Sequence, residues 1–144
     1  MGKKRIVKKK GQGMDSGLKN RSLSRVPKKK LDSGVLHIHA TYNNTKLMLT
    51  DKKGGAVLFS SSGSLGFSGA RKGTPFAAAK IGEVIGEKAQ AMGVKEVDVV
   101  IKGVGSGRES SLRAFVGKGI NVGNITDKTP VPFNGPRPKK PRRV

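Results

Sequence analysis

The chain has 144 residues, 30 of them Lys or Arg against 9 Asp or Glu, for a formal net charge of +21. With no cysteine, two histidines, no Trp and one Tyr, disulfides, thiolate metal sites and cysteine nucleophiles are excluded, and stacking on aromatic side chains cannot be the main mode of base recognition. So large an excess of one charge repels itself and calls for an anionic partner, while the length fits one domain with tails.

The charge gathers at the ends. Residues 1–30 carry twelve basic residues and one acid, Asp15. The run begins Lys3, Lys4, Arg5, Lys8, Lys9, Lys10 and continues through Arg21, Arg25 and Lys28-Lys29-Lys30. Apolar residues there are too few and too irregular to bury a face, so residues 1–33 read as a basic extension that is disordered when free. A secretory signal would need an apolar stretch that is missing, and the Lys-rich composition departs from the Arg and Ser of transit peptides. No apolar run in the chain approaches the roughly 18 residues of a spanning helix.

From residue 34 to 133 the pattern is that of one α/β domain. Val35–Tyr42 alternates, with Leu36, Ile38, Ala40 and Tyr42 on one face and His37, His39 and Thr41 on the other. Asn43-Asn44 reads as a tight turn, because Asn tolerates positive φ. Lys46–Thr50 resumes the alternation, Asp51–Gly55 is a second turn, and Ala56–Ser60 a third strand. Residues 61–73 are rich in Gly and Ser, a loop long enough to carry function. Thr74-Pro75 opens a helix as N-cap and first residue. Ala78, Ile81, Ile85, Ala89 and Met92 share one helix face, and Gly93 ends it. Gly82 and Gly86, four apart, suit close packing of that helix on the sheet, at some loss of helix propensity.

Val94–Lys102 is a fourth strand whose nearly continuous β-branched run suits a strand covered on both faces. Gly103–Gly107 is a turn, and Ser106 with Glu109 has capping-box spacing ahead of a short helix, Arg108–Val116, with Leu112, Phe115 and Val116 inward. Ile120–Thr126 is the fifth strand, and Pro130–Phe133 are placed to close the core. Right-handed crossovers then yield a mixed five-stranded sheet of order 3-2-1-4-5 with two helices, flanked by basic disordered tails. In residues 134–144, Pro136, Pro138 and Pro141 favour an extended, solvated chain. Asn134-Gly135, unhindered by a Cβ at the second residue, invites succinimide formation.

The chemistry-bearing candidates are cations beside glycines. Arg71 and Lys72 precede a helix N-terminus, and Arg108 follows a Gly-rich turn at another. Outward N–H groups, the helix dipole and a cation together suit a phosphate; a plain capped helix start is the alternative at Ser106. Arg108 has no evident task in the fold, so its removal should spare folding. The turn lacks the last glycine of a dinucleotide fingerprint, and no P-loop motif exists. His37 and His39 suggest no third metal ligand. A sheet of this order is similar to that of ribonuclease H-like nucleases, but its first strand holds no acid, and Asp51, Glu83, Asp98 and Glu109 are dispersed, so no catalytic site, cofactor or small-molecule substrate is expected.

Five stretches carry a further resemblance: Gly34–Thr45, the turn Thr50-Asp51, Gly66–Ala78, Lys102–Ala114 and Asn124–Val144. On these the chain resembles the universal family of ribosomal protein eleven of the small subunit, in its bacterial form. The resemblance implies a ribonuclease H-like α/β core that binds small-subunit rRNA on the platform, bridges separate rRNA helices and helps form the mRNA (Shine-Dalgarno) cleft near the mRNA exit. It implies ribosomal proteins seven and eighteen as neighbours, a link to initiation factor three, a cytoplasmic location and no membrane. Candidate rRNA-binding residues are Lys3, Lys4, Arg5, Lys8, Lys9, Lys10, Asn43, Asn44, Arg71, Lys72, Thr74, Gly103, Gly105, Gly107, Arg108, Arg113, Asn134, Arg137, Lys139, Lys140, Arg142 and Arg143. Val104 and Ser106 stand where the family has prolines, which predicts a less rigid turn. A DNA-architectural basic protein is the rival reading; it accounts for the charge but leaves the Gly66–Thr74 loop unexplained.

Overall fold

A computed structural model describes residues 15–143; the expectations placed on Lys3, Lys4, Arg5, Lys8, Lys9 and Lys10 lie outside the described residues. Alternation decides the sheet. In β1 (Ser33–Ala40) and β2 (Thr45–Thr50) every second residue is buried, including Leu36, Ile38, Leu47 and Leu49. The two strands pair antiparallel with Ile38 opposite Leu47, and β3 (Ala56–Ser61) pairs antiparallel with β2. A one-residue slip would turn the whole apolar set to the other face, so burial fixes the register. β4 (Glu96–Lys102) runs parallel to β1, and β5 (Asn121–Asp127) parallel to β4. The order is β3-β2-β1-β4-β5, as expected.

The described residues hold three α-helices rather than two: α1 (Ser16–Ser24), α2 (Pro75–Ala91) and α3 (Gly107–Val116). The crossovers through α2 and α3 step the same way along the sheet, so their right-handedness puts both helices on one face. The core forms there, with Leu36, Ile38, Leu49 and Val99 from the sheet and Ile81, Val84, Ile85 and Phe115 from the helices. No helix of the described residues covers the opposite face, where Val35, His37, Met48 and Val100 are half-buried. β4 therefore buries Val97, Val99 and Ile101 while Asp98 and Lys102 are exposed, which corrects the expectation of a strand covered on both sides.

α1 is a second correction, because it lies inside the segment read as disordered. Asp15 caps it, its Oδ1 accepting from the N–H groups of Gly17 (2.9 Å) and Leu18 (3.4 Å). Nine residues are too few to hold a helix alone. It is held by docking: Asp15 N–H donates to the Leu65 carbonyl (3.1 Å), and Leu23, Val26 and Leu31 pack against the core. These contacts have no helical period, so pattern could not reveal them.

Four smaller expectations also fail. Tyr42 lies beyond β1 and is 78% exposed, and Val116 is exposed at the end of α3. Asn43 and Asn44 do not use positive φ; their turn is closed by Thr41, whose Oγ1 accepts from Asn44 N–H (3.1 Å) and donates to Asn44 O (3.0 Å). Pro130–Phe133 do not close the core, since all four are exposed and Phe133 is 96% so. α2 starts as read, with Thr74 Oγ1 accepting from Ala77 N–H (3.3 Å), and ends before Gly93 in the left-handed region (φ 84°).

Gly82 and Gly86 serve α3, not the sheet. A Cβ at Gly82 would overlap the carbonyl of Ser111, and one at Gly86 would press on Lys118. The two helices meet along these glycines. Gly82→Ala is therefore expected to destabilise the fold by about 1–3 kcal/mol, despite the better helix propensity of Ala. A melt showing equal or greater stability would contradict this packing.

Candidate nucleic-acid interface

β1, β3, β4 and β5 all point the same way. Their carboxyl ends therefore share one edge of the molecule, where α/β sheets place ligand sites. Four segments leave from there: the β1–β2 turn, the Gly- and Ser-rich loop with its 3-10 turns Gly63–Leu65 and Gly69–Gly73, the turn 103–106, and the tail from residue 128. Of the candidate residues, Asn43, Asn44, Arg71, Lys72, Thr74, Gly103, Gly105, Gly107 and Arg108 are brought together at this end. Arg113 stands apart on α3, exposed and paired with Glu109. Asn134, Arg137, Lys139, Lys140, Arg142 and Arg143 lie on the exposed tail, which has no helix or strand. Asn134 adopts φ 52°.

The β1–β2 turn is wedged between the two glycine loops. A Cβ at Gly73 would overlap the Tyr42 carbonyl; one at Gly103, which also has φ 97°, would overlap that of Ala40. Gly105 approaches the Thr41 carbonyl and Gly107 the Thr45 hydroxyl just as closely. These glycines permit backbone-on-backbone packing, a role the phosphate-cradle reading missed. Two of their N–H groups are already used: Gly105 donates to Ala40 O (3.0 Å) and Gly103 to Thr129 Oγ1 (3.2 Å). The expected outward array of donors is thus narrower. The N–H groups of Val104, Ser106 and Gly107 find no partner among the described residues.

The capping box does not form. Ser106 sits in the helical region (φ −69°, ψ −11°) rather than the extended conformation an N-cap needs, and its side chain makes no cap bond. Its hydroxyl donates instead to Gly73 O at 2.9 Å, tying the start of α3 to the start of α2. The positive ends of two helix dipoles are therefore held side by side. Glu109 is left to pair with Arg113.

Arg108 does have a task in the fold. Its guanidinium donates to Gly103 O, to Thr129 Oγ1 (3.2 Å) and to the Asp127 carboxylate, clasping the turn to the end of β5. Asp127 in turn accepts from the Thr129 hydroxyl (2.6 Å) and N–H (2.8 Å). The Thr129 hydroxyl, then the Arg108 guanidinium, hold the Asp127 carboxyl well below the usual carboxylate range. Burial, helped by the charges of Lys102 and Lys128, lowers the His37 pKa, and its Nε2 lies 3.2 Å from Thr50 Oγ1.

With Arg108 offset by Asp127, the positive charge at this end comes from Arg71, Lys72, Lys102 and Lys128, none of which pairs with an acid among the described residues. Pattern reading missed the exposed apolar rim as well. Tyr42, Phe76 and Val104 stand free beside the cations, with Phe76 edge-on to Phe67 and the Lys80 ammonium 5.6 Å from its ring centre. The acid-x-Thr spacing of Asp127 and Thr129 was the one local sign of the clasp. The model of the family described as ribosomal protein S11 matches residues 34–143, from the second residue of β1 to the end of the described tail, and leaves α1 outside. With a core, a charged edge and a tail all inside that match, the chain belongs to the ribosomal protein S11 family and is a structural, non-enzymatic component of the small ribosomal subunit.

Proposed function

We propose that the carboxyl-end edge of the sheet and the C-terminal tail are the surfaces by which this ribosomal protein grips small-subunit rRNA, bridging separate RNA helices on the platform. In this reading it helps form the Shine-Dalgarno cleft near the mRNA exit, beside ribosomal proteins seven and eighteen and within reach of initiation factor three, in a bacterial-type cytoplasm. The observation that carries the grip is the Ser106–Gly73 bond, which joins two helix N-termini beside Arg71 and Lys72. Phosphates are the anions such an array fits, and charge-assisted contacts of this kind position a protein without reading sequence. The tail adds five cations on a chain that three prolines keep extended. Arg108 acts here by positioning the turn.

The test is affinity for small-subunit rRNA across a salt series, with duplex DNA at matched salt as competitor. The double variant Arg71→Gln/Lys72→Gln is expected to flatten the slope of log affinity against log salt by about 1.4–1.8, at roughly 0.7–0.9 per phosphate contact. An unchanged slope would remove these residues from the interface. Equal affinity for duplex DNA would favour the architectural reading.

A further inference from the structure

A second cationic site borders this edge at Ser64 and extends from it, in a groove of about 360 Å³ between α1, the edge strand β3 and α2. Arg21 and Arg25 of α1 and Lys88 of α2 line it, with Leu18, Phe59 and Ser64 among the remaining walls, and no lining residue is acidic. The unusual member is Lys88. Its aliphatic stem is buried, the residue being 6% exposed, while its ammonium reaches the groove and there pairs with no carboxylate and makes no hydrogen bond among the described residues. That ammonium stands at the groove wall beside a second cation, Arg25, and like charges so placed repel unless an anion lies between them. Burial first, and then the charge of Arg25, lower the Lys88 pKa. Three cations converge on one groove with no acid among its walls, an arrangement suited to an anion.

We infer that this groove takes a backbone phosphate of ribosomal RNA, so that α1 is a second RNA contact built outside the segment the family match covers. The chain that must meet RNA carries +21, and its α1 is docked by Asp15, Leu23 and Val26 in the position that brings Arg21 and Arg25 over Lys88. A phosphate there neutralises Lys88, whose charge the protein alone leaves uncompensated. An acidic side chain of a neighbouring protein has the same sign, but small-subunit rRNA is the partner that the family implies and that the proposed edge and tail contacts share. The inference rests on the rRNA-binding reading, and the test separates the two.

Full-length Lys88→Met keeps the side-chain length and packing and removes the charge. Its slope of log rRNA affinity against log salt is expected to be shallower by about 0.7–0.9, one phosphate contact, with a melting temperature equal to or above that of the parent. Arg21→Gln/Arg25→Gln, on the exposed side of α1, should produce a loss of the same kind; if Lys88→Met does not fold, this variant decides. Unchanged slopes with intact melts overturn the inference. So does a groove that takes only the free ion: inorganic phosphate would then raise the melting temperature of the parent but not of Lys88→Met, with the RNA slope unaltered. Arg71→Gln/Lys72→Gln is measured alongside. A change there with none in the groove sinks this inference alone, whereas no change in either sinks the rRNA reading itself.

Discussion

Cutting the chain after Phe133 is expected to leave the melting transition in place and to flatten the salt dependence of rRNA binding by about 3.5–4.5, the largest change any single alteration here should produce. The fold should survive because the removed segment is exposed. Every described residue from 130 onward is exposed, and the last side chain tied into the fold is Thr129, which binds Gly103 N–H and Arg108. None of the described residues 134–143 belongs to the core cluster. The slope should flatten because the tail has reach. Eleven residues in a proline-biased extended form span roughly 34 Å, at about 3.1 Å per residue, and Arg137, Lys139, Lys140, Arg142 and Arg143 are spread along it. That bias also lowers the entropy lost when the tail is ordered on RNA. Circular dichroism melts and salt-series affinities of the full and shortened proteins check both outcomes. An equal slope would reduce the tail to solvated charge, and a lost transition would make it part of the fold.

Arg108→Met is expected to destabilise the domain by about 1–2 kcal/mol, because it strips a charged donor from Gly103 O, Thr129 and Asp127 while leaving the aliphatic stem. The figure is kept low because the clasp is partly exposed to solvent, with the Arg108 side chain 32% and the Asp127 side chain 52% exposed. Its pH dependence has a definite sign. Asp127 is depressed in the folded state, so its stabilising contribution is full above the unfolded carboxyl value of about 3.8 and is lost as the pH falls below it toward the folded value. The difference between parent and variant should therefore shrink on acidification, and Asp127→Asn should reduce it in the same way at neutral pH. RNA affinity should fall with the loosened turn, at little cost to the salt slope, since Arg108 and Asp127 offset each other. An unchanged melt with a slope shallower by about 0.7–0.9 would instead make Arg108 a direct phosphate contact.

These outcomes turn on which features are local. The sheet order, the buried faces of β1 and β2, the Thr74 cap and the face of α2 from Ala78 to Met92 were all legible, because alternation, helical spacing and Pro or Gly punctuation are properties of neighbouring residues. The concentration of cations on the tail and before the two helices was legible for the same reason. What pattern could not supply was pairing between distant segments. Ser106 has the spacing of a cap, yet bonds to Gly73, 33 residues away. Arg108 has the look of a free cation, yet its partners are 19 and 21 residues on. Gly103, Gly105 and Gly107 look like a phosphate loop, yet they are small because Ala40, Thr41 and Thr45 press against them.

Composition and periodicity by themselves pointed to an α/β fold with basic ends and an anionic partner, since charge count and hydrophobic spacing are additive along the chain. Only the tertiary structure decided that α1 is a docked helix, that Lys88 shares a groove with its arginines, and that no described helix covers the second face of the sheet. Those depend on where the crossovers carry segments that no local pattern relates, and a shared cationic groove or a carbonyl packed on a glycine exists only once two such segments have met.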